Sequence, residues 1–561
     1  NVTVAATQLS TSLQSLQTLG VDSVAIVGGA TAISVEAGSF AALSPTGLPQ
    51  FDVAQSDGAL DVTLNVTPGA PGNIFAGVGD PVALVGALGT AGIDHIDIDG
   101  AGTNGATTIS QAQAGALIDA GIDFADADTV TLSTAATHLS NNLQALQALG
   151  VDSVAVTGGL TAIDIDAGSL AALSASGLPQ FDVAQSDNAL DVTLNVAGGG
   201  DLFGGVADPS GLIAALGGAG IDHLDIDGDG ALGSTRISDA EAEALVAAGI
   251  DFDGDDTITV ATAGTQLATS LGDLQALGVD SVDAGDGVSK LTVEAGAGGL
   301  DALIAGGDLP RFDIAQSDGA LDVTLVVDPA DPASLDPEEF LAIASDLAAA
   351  GVDHLDLGGL GFAGSFELTD ADAGSLVSAG IDFAANDDIS VVAAGTQLST
   401  DLGDLQRLGV DSIDADGAPT LRAFVGADGL DGLAALPQFD IAQTDGSLDV
   451  TLEIGAAAFA DESDLGTLLG VDVLAGLTTP DLYGDLIDAL LAAGIDRINI
   501  SASGRVELAD GLADVLIAIE GFTAEDAELV LNAAGSGDLL RTSLHEMAHL
   551  GVDLVEVDDQ G

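Results

Sequence analysis

In LSNNLQALQALG, residues 139–150, leucines recur at spacings of three and four and then give way to a glycine. That spacing predicts a short amphipathic helix with one buried stripe, ended by a glycine suited to the left-handed position past its C-terminus. In DVTLNV, residues 191–196, apolar and polar residues alternate instead. This predicts a half-buried strand with Val and Leu inward and Asp, Thr and Asn outward. The two patterns take turns along the chain. In residues 137–264 they form four units of about 32 residues, each with a predicted helix: LSNNLQALQALG, AGSLAALSASG, PSGLIAALGGAG and DAEAEALVAAG.

Strand stretches come in pairs around turn signals. Asp57-Gly58 in QFDVAQSDGALDVTL and Asp187-Asn188 in its counterpart suit the positive φ angles of a tight hairpin. The predicted unit is therefore helix, strand, turn, strand. Two strands advance a sheet by about 9.6 Å and helices pack about 10 Å apart, so such units tile with little curvature. The expected fold is α/β: an elongated repeat solenoid with helices on one face and an Asp-rich sheet on the other, on the order of 170 Å long. Where hairpins are not regular, the alternative is a coil whose strands form two separate parallel sheets.

A longer period overlies the short one. The glycine of LGVD recurs at Gly20, Gly150, Gly278 and Gly409, and LPQFDVAQSDGALDVTL returns three times with few changes. The divisions are an end strand at 1–6, long repeats at 7–136, 137–264, 265–395 and 396–537 (the last longer and divergent), and the start of a fifth at 538–561. The array is expected to continue past Gly561.

Charge sharpens the picture. There are 88 acidic residues against 8 basic ones, a formal net charge of -80, yet 47% of residues are hydrophobic and the mean hydropathy is +0.45. That combination predicts a folded chain with an anionic surface, which excludes nucleic acid as a partner and favours divalent cations. No apolar run reaches the roughly 20 residues of a membrane-spanning helix, so no membrane insertion is expected. Cysteine is absent, which excludes disulfides and thiolate metal sites.

Three strings carry candidate chemistry. In LHEMAHL, His545, Glu546 and His549 have the His-Glu-x-x-His spacing that resembles the zincin metallopeptidases. Aligned on the repeat, however, Leu544, Met547 and Leu550 fall on Leu13, Leu16 and Leu19, and the two histidines fall on solvent-facing positions. The string reads as a repeat helix, with a zinc peptidase as the lesser alternative. In DIDGDG, Asp225, Asp227 and Asp229 resemble the opening of an EF-hand calcium loop, with Glu241 as the later bidentate ligand and Ile237 at the loop's isoleucine. Calcium is the expected cofactor at these four carboxylates. GGAGIDHLD, Gly217 to Asp225, resembles one nonapeptide of the RTX calcium roll but stands alone, so a helix C-cap explains it. Beyond these, Asp-rich strands such as IDHLDID form an acidic ladder, either a multi-ion surface or a solvated face. His95, His223 and His354 share one repeated strand position, which points to architecture.

Composition and repetition together resemble large repetitive bacterial surface or secreted proteins of the kind exported by type I systems. The resemblance implies a non-catalytic structural or adhesive protein, extracellular or at the cell surface, forming a cation-stabilised rod, filament or surface layer by head-to-tail or lateral self-association. The alternative is a binding module that presents a repeated acidic surface to a ligand or partner.

Overall fold

A computed structural model gives the fold. It describes all residues other than 5–6, 28, 52–59, 68–71, 101–103, 182–189, 229–231, 286, 313–320, 328–336, 359–364, 427–435, 440–447, 456–488, 510–515, 518–522, 534–543 and 558–561. The chain is α/β and divides into two compact units, Asn1–Thr262 with Ala276–Asp283, and Ala263–Gln275 with Ala284–Gly561.

Helices form where the leucine spacing predicts them and end where glycine allows. Leu143–Leu149 is capped by the Asn142 side chain, which accepts the Ala145 amide at 2.8 Å, and closes on Gly150 in the left-handed conformation. Pro81–Ala91 starts with proline in the first turn behind the cap Asp80 and closes on Gly92. Gln111–Ala120, Asp239–Ala248 and Asp370–Ala379 open with reciprocal capping boxes at Ser110/Gln113, Ser238/Glu241 and Thr369/Asp372.

One predicted helix class is corrected. AGSLAALSASG yields only a three-residue 3-10 turn, Leu170–Ala172, like Phe40–Ala42 in the repeat before. Serines and glycines flank the three residues and interrupt any longer helix. A glutamine side chain holds the irregular segment: Gln147 Nε2 donates to the Ser174 and Ser176 carbonyls, and its Oε1 accepts the Ser174 amide. In the third repeat Gly299–Gly306 is a true helix.

The hairpin expectation is also corrected. In unit 1, Gln8–Leu9, Ala32–Glu36, Asp61–Val66, His95–Ile98 and Asp123–Phe124 form one parallel sheet, and its counterpart is His138–Leu139, Ala162–Asp166, Asp191–Val196, His223–Ile226 and Asp251–Phe252. Other strands lie in separate parallel sheets, such as Ala106–Ser110 with Thr129–Thr134 and Ser153–Val156. In unit 2, Lys290–Glu294, Asp322–Val326, His354–Asp356 and Asp382–Phe383 repeat the first arrangement. Strands on either side of an Asp-Gly turn therefore enter different sheets: His223–Ile226 pairs with Asp191–Val196, whereas Ser234–Ser238 pairs with Thr257–Thr262. Asp57-Gly58 and Asp187-Asn188 lie outside the described residues, but Gln50 bridges to Ser23 while Asp61–Val66 pairs with Ala32–Glu36. The described strands therefore form several small parallel sheets rather than hairpins.

The turn chemistry was legible, but its use was not. Asp227 and Gly228 do adopt positive φ, 73° and 63°, at a corner between sheets rather than at a reversal. Parallel neighbours align like with like, because each strand meets its counterpart from the next unit in register. Inward residues such as Val62, Leu64, Ile96 and Ile98 are fully buried, as are Leu84 and Leu88 of the helix between them. Each phenylalanine of the FDVA and IDF segments sits behind the closing glycine of a later helix. A Cβ on Gly220 would lie 3.6 Å from the Phe181 carbonyl oxygen, and one on Gly409 3.4 Å from that of Phe383.

Candidate functional site

The outward face of the sheets carries a recurring constellation. Parallel register sets His95 beside Asp123 and opposite Thr63, which brings Asp61, two residues earlier on its strand, diagonally onto the ring. His95 Nε2 lies 3.3 Å from Asp61 Oδ1, and Nδ1 pairs with Asp123 Oδ1. The same rung recurs as Asp191, His223 and Asp251, with Nε2 at 3.0 Å, and as Asp322, His354 and Asp382, again at 3.0 Å.

Both ring nitrogens thus face carboxylates, whereas a neutral imidazole has one N–H to donate. The imidazolium, with an N–H on each nitrogen, suits a hydrogen bond at Nδ1 and an ion pair at Nε2. Burial opposes that charge, but the bond to Asp123 and the charges of Asp123, Asp61 and Asp94 outweigh it and raise the His95 pKa above 6.5. His223 and His354 are raised in the same way, burial again opposing and Asp251 and Asp382 leading the opposite effect. In the fourth repeat Arg497 takes the register of the histidines, opposite Thr451, and pairs with Asp449 at 2.7 Å. The third rung also holds Lys290, 2.5 Å from Asp322.

Elsewhere, acids that read as a cation ladder are satisfied by backbone amides. In most copies of the Gly-Val/Ile-Asp motif the aspartate reaches back to the start of the preceding strand. Asp222 Oδ2 accepts the Val192 amide at 3.0 Å and Asp353 Oδ2 accepts that of Val323 at 2.9 Å. Asp152, Asp280, Asp411, Asp496 and Asp553 do the same for Val130, Ile258, Ile389, Val450 and Leu529. Asp123, Asp251 and Asp382 occupy the same motif position opposite a histidine and turn to it instead. Sequence reasoning missed this clasp, although the fixed Gly-Val/Ile-Asp spacing was its signal.

Asp128 and Asp256 are a second omission. Each is buried and ties the two ends of an Asp-Gly corner: Asp256 accepts the Ile226 amide at 2.7 Å and the Gly233 amide at 3.2 Å, and Asp128 accepts those of Ile98 and Gly105. Burial raises the pKa of both carboxyls above 3.8, partly offset by these amides.

The predicted calcium ligands are only partly together. Asp225 Oδ1 accepts the Gly228 amide at 3.1 Å, Asp227 Oδ1 accepts that of Gly198 at 2.7 Å, and Asp229 lies outside the described residues. Glu241 is engaged at the start of the Asp239–Ala248 helix, where Oε2 accepts the Ser238 amide at 2.7 Å. His545 and His549 sit exposed on Leu544–Leu550, whose Met547 and Leu550 are buried, as the repeat alignment predicts. Among the described residues, no group of three or more histidines and acids is placed to hold a metal ion, and no helix is long and apolar enough to cross a membrane. A polar cleft of about 460 Å³ opens on the first sheet, lined by Ser34, Glu36, Thr63, Asn65, Asp97 and Asp99 among others.

No known protein family and no curated protein matches this sequence.

Proposed function

We propose that the chain is a non-catalytic structural or adhesive repeat protein of the cell surface or extracellular medium. In this reading it is an elongated solenoid that works as a cation-stabilised rod or layer and self-associates head to tail or laterally. One observation carries the reading: the acid–imidazole–acid rung, the glycine-capped helices and the aspartate clasp all recur from repeat to repeat. A catalytic centre is built once, whereas repetition yields length and a repeated surface. Electron microscopy of the purified chain tests it: particles on the order of 170 Å long are expected, and compact globular particles would overturn the rod.

Calcium belongs to the same proposal, with Asp225 and Asp227 as ligands and Asp229, outside the described residues, as a third. Glu241 would have to release the Ser238 amide to join them. Titration calorimetry with calcium tests this arm, and an unchanged melting midpoint in excess EDTA would remove it. The polar cleft favours a second reading, a binding module for a cationic or polyhydroxylated ligand. Titration with basic peptides and oligosaccharides tests that reading.

A further inference from the structure

We propose that the three Asp–His–Asp rungs form a pH-operated latch, which ties adjacent strands together while the imidazole is charged and loosens them when it is neutral. A carboxylate faces each nitrogen of each ring, an arrangement that favours a proton on both. Removing one proton turns a nitrogen lone pair toward an acid and leaves two carboxylates without their shared cation.

The groups facing each ring are acids. His95 meets Asp61 from one neighbouring strand, Asp123 from the other, and Asp94 beside it on its own chain segment. His223 meets Asp191, Asp251 and Asp222, and His354 meets Asp322, Asp382 and Asp353. The raised pKa sets the sign: stability from a rung is fully present below 6.5 and is lost as pH rises through the higher value in the folded chain. The rungs, half exposed at 36–38% of the side chain, exchange protons directly with solvent.

The molecule contains its own controls. Lys290 keeps a permanent cation beside Asp322, so the third rung loosens less than the first two. Arg497 holds the corresponding place in the fourth repeat with a guanidinium instead of an imidazole, so that sheet stays latched. The order of sensitivity is thus the His95 and His223 rungs, then the His354 rung, then the Arg497 position.

Hydrogen exchange of the full chain, corrected for intrinsic rates, reads this at each sheet between mildly acidic and mildly alkaline pH. Protection of Asp61–Val66 and Asp191–Val196 is expected to fall by roughly tenfold for each unit by which folding raises the imidazole pKa, while Asp449–Gly455 holds constant. His95→Arg with His223→Arg should keep both sheets protected at high pH. His95→Gln with His223→Gln should leave them loose at every pH, and this second pair keeps the test decisive if arginine does not fit. An unchanged pH response in both pairs, or equal loss at Asp449–Gly455, would overturn the latch and assign the response to the chain's overall charge.

Discussion

Asp94 and Val62 hold each other at two points: the Asp94 amide donates to the Val62 carbonyl at 3.0 Å, and the Val62 amide donates to Asp94 Oδ2 at 2.9 Å. The first bond belongs to the run of backbone pairing. The second satisfies the leading amide of a strand with the residue that follows a helix cap, so helix end, turn and strand start are fixed together.

Removing that carboxylate tests its weight. Asp94→Ala is expected to cost about 1.5–3 kcal/mol, the range for a hydrogen bond to a charged group, and Asp94→Asn less, because its amide oxygen still accepts. Denaturant melts of unit 1 check the order, and equal costs for the two variants would reject the clasp.

The buried corner acid predicts a larger, local effect. Asp256→Ala leaves the Ile226 and Gly233 amides without their acceptor, a cost on the order of 2–5 kcal/mol for two orphaned donors. Hydrogen exchange at those two amides should accelerate more than exchange at Val192, which keeps its bond to Asp222.

Two glycines separate strain from contact. Gly249 and Gly168 both have positive φ, 71° and 79°, but a Cβ meets nothing at Gly249 and lies 3.0 Å from Gln144 Oε1 and 3.1 Å from Asn142 Oδ1 at Gly168. Gly249→Ala should cost about 1 kcal/mol from the left-handed backbone alone, and Gly168→Ala measurably more. Equal thermal shifts would show that the contact with the neighbouring helix start carries nothing.

Stability should rise as pH falls from alkaline toward mildly acidic values. The three histidines contribute fully below 6.5 and lose their contribution above their raised pKa values. Asp128 and Asp256, raised above 3.8 by burial, act in the same direction: the folded chain binds their protons more readily than the unfolded one, so their penalty eases as pH falls through the folded values. Melting midpoints across pH check the trend, and a maximum on the alkaline side would contradict it.

His545→Ala and His549→Ala should each change stability by no more than about 0.5 kcal/mol, as for exposed positions without special contacts. Met547→Ala, which empties a buried place in the same helix, should cost about 2 kcal/mol or more. The reverse order would return His545, Glu546 and His549 to consideration as a site.

The sequence disclosed local structure better than pairing. Leucine spacing and Gly150 located a helix and its C-terminal end, because these signals act over a single turn of chain. The partner of Asp61–Val66 could not be read the same way, since alternation fixes which face a strand buries but not which neighbour it chooses. The histidines showed the same limit. Their shared strand position was visible, but two acids from two other strands became apparent only with the register. Glu241 was read for its carboxylate alone, and its bond to the Ser238 amide became apparent only with the helix start.

Clasp partners lie 22 to 46 residues apart in the chain, and paired strands are separated by similar distances. The sheets therefore close between neighbouring segments, without bringing remote stretches together. Such low sequence separation favours stepwise, local assembly.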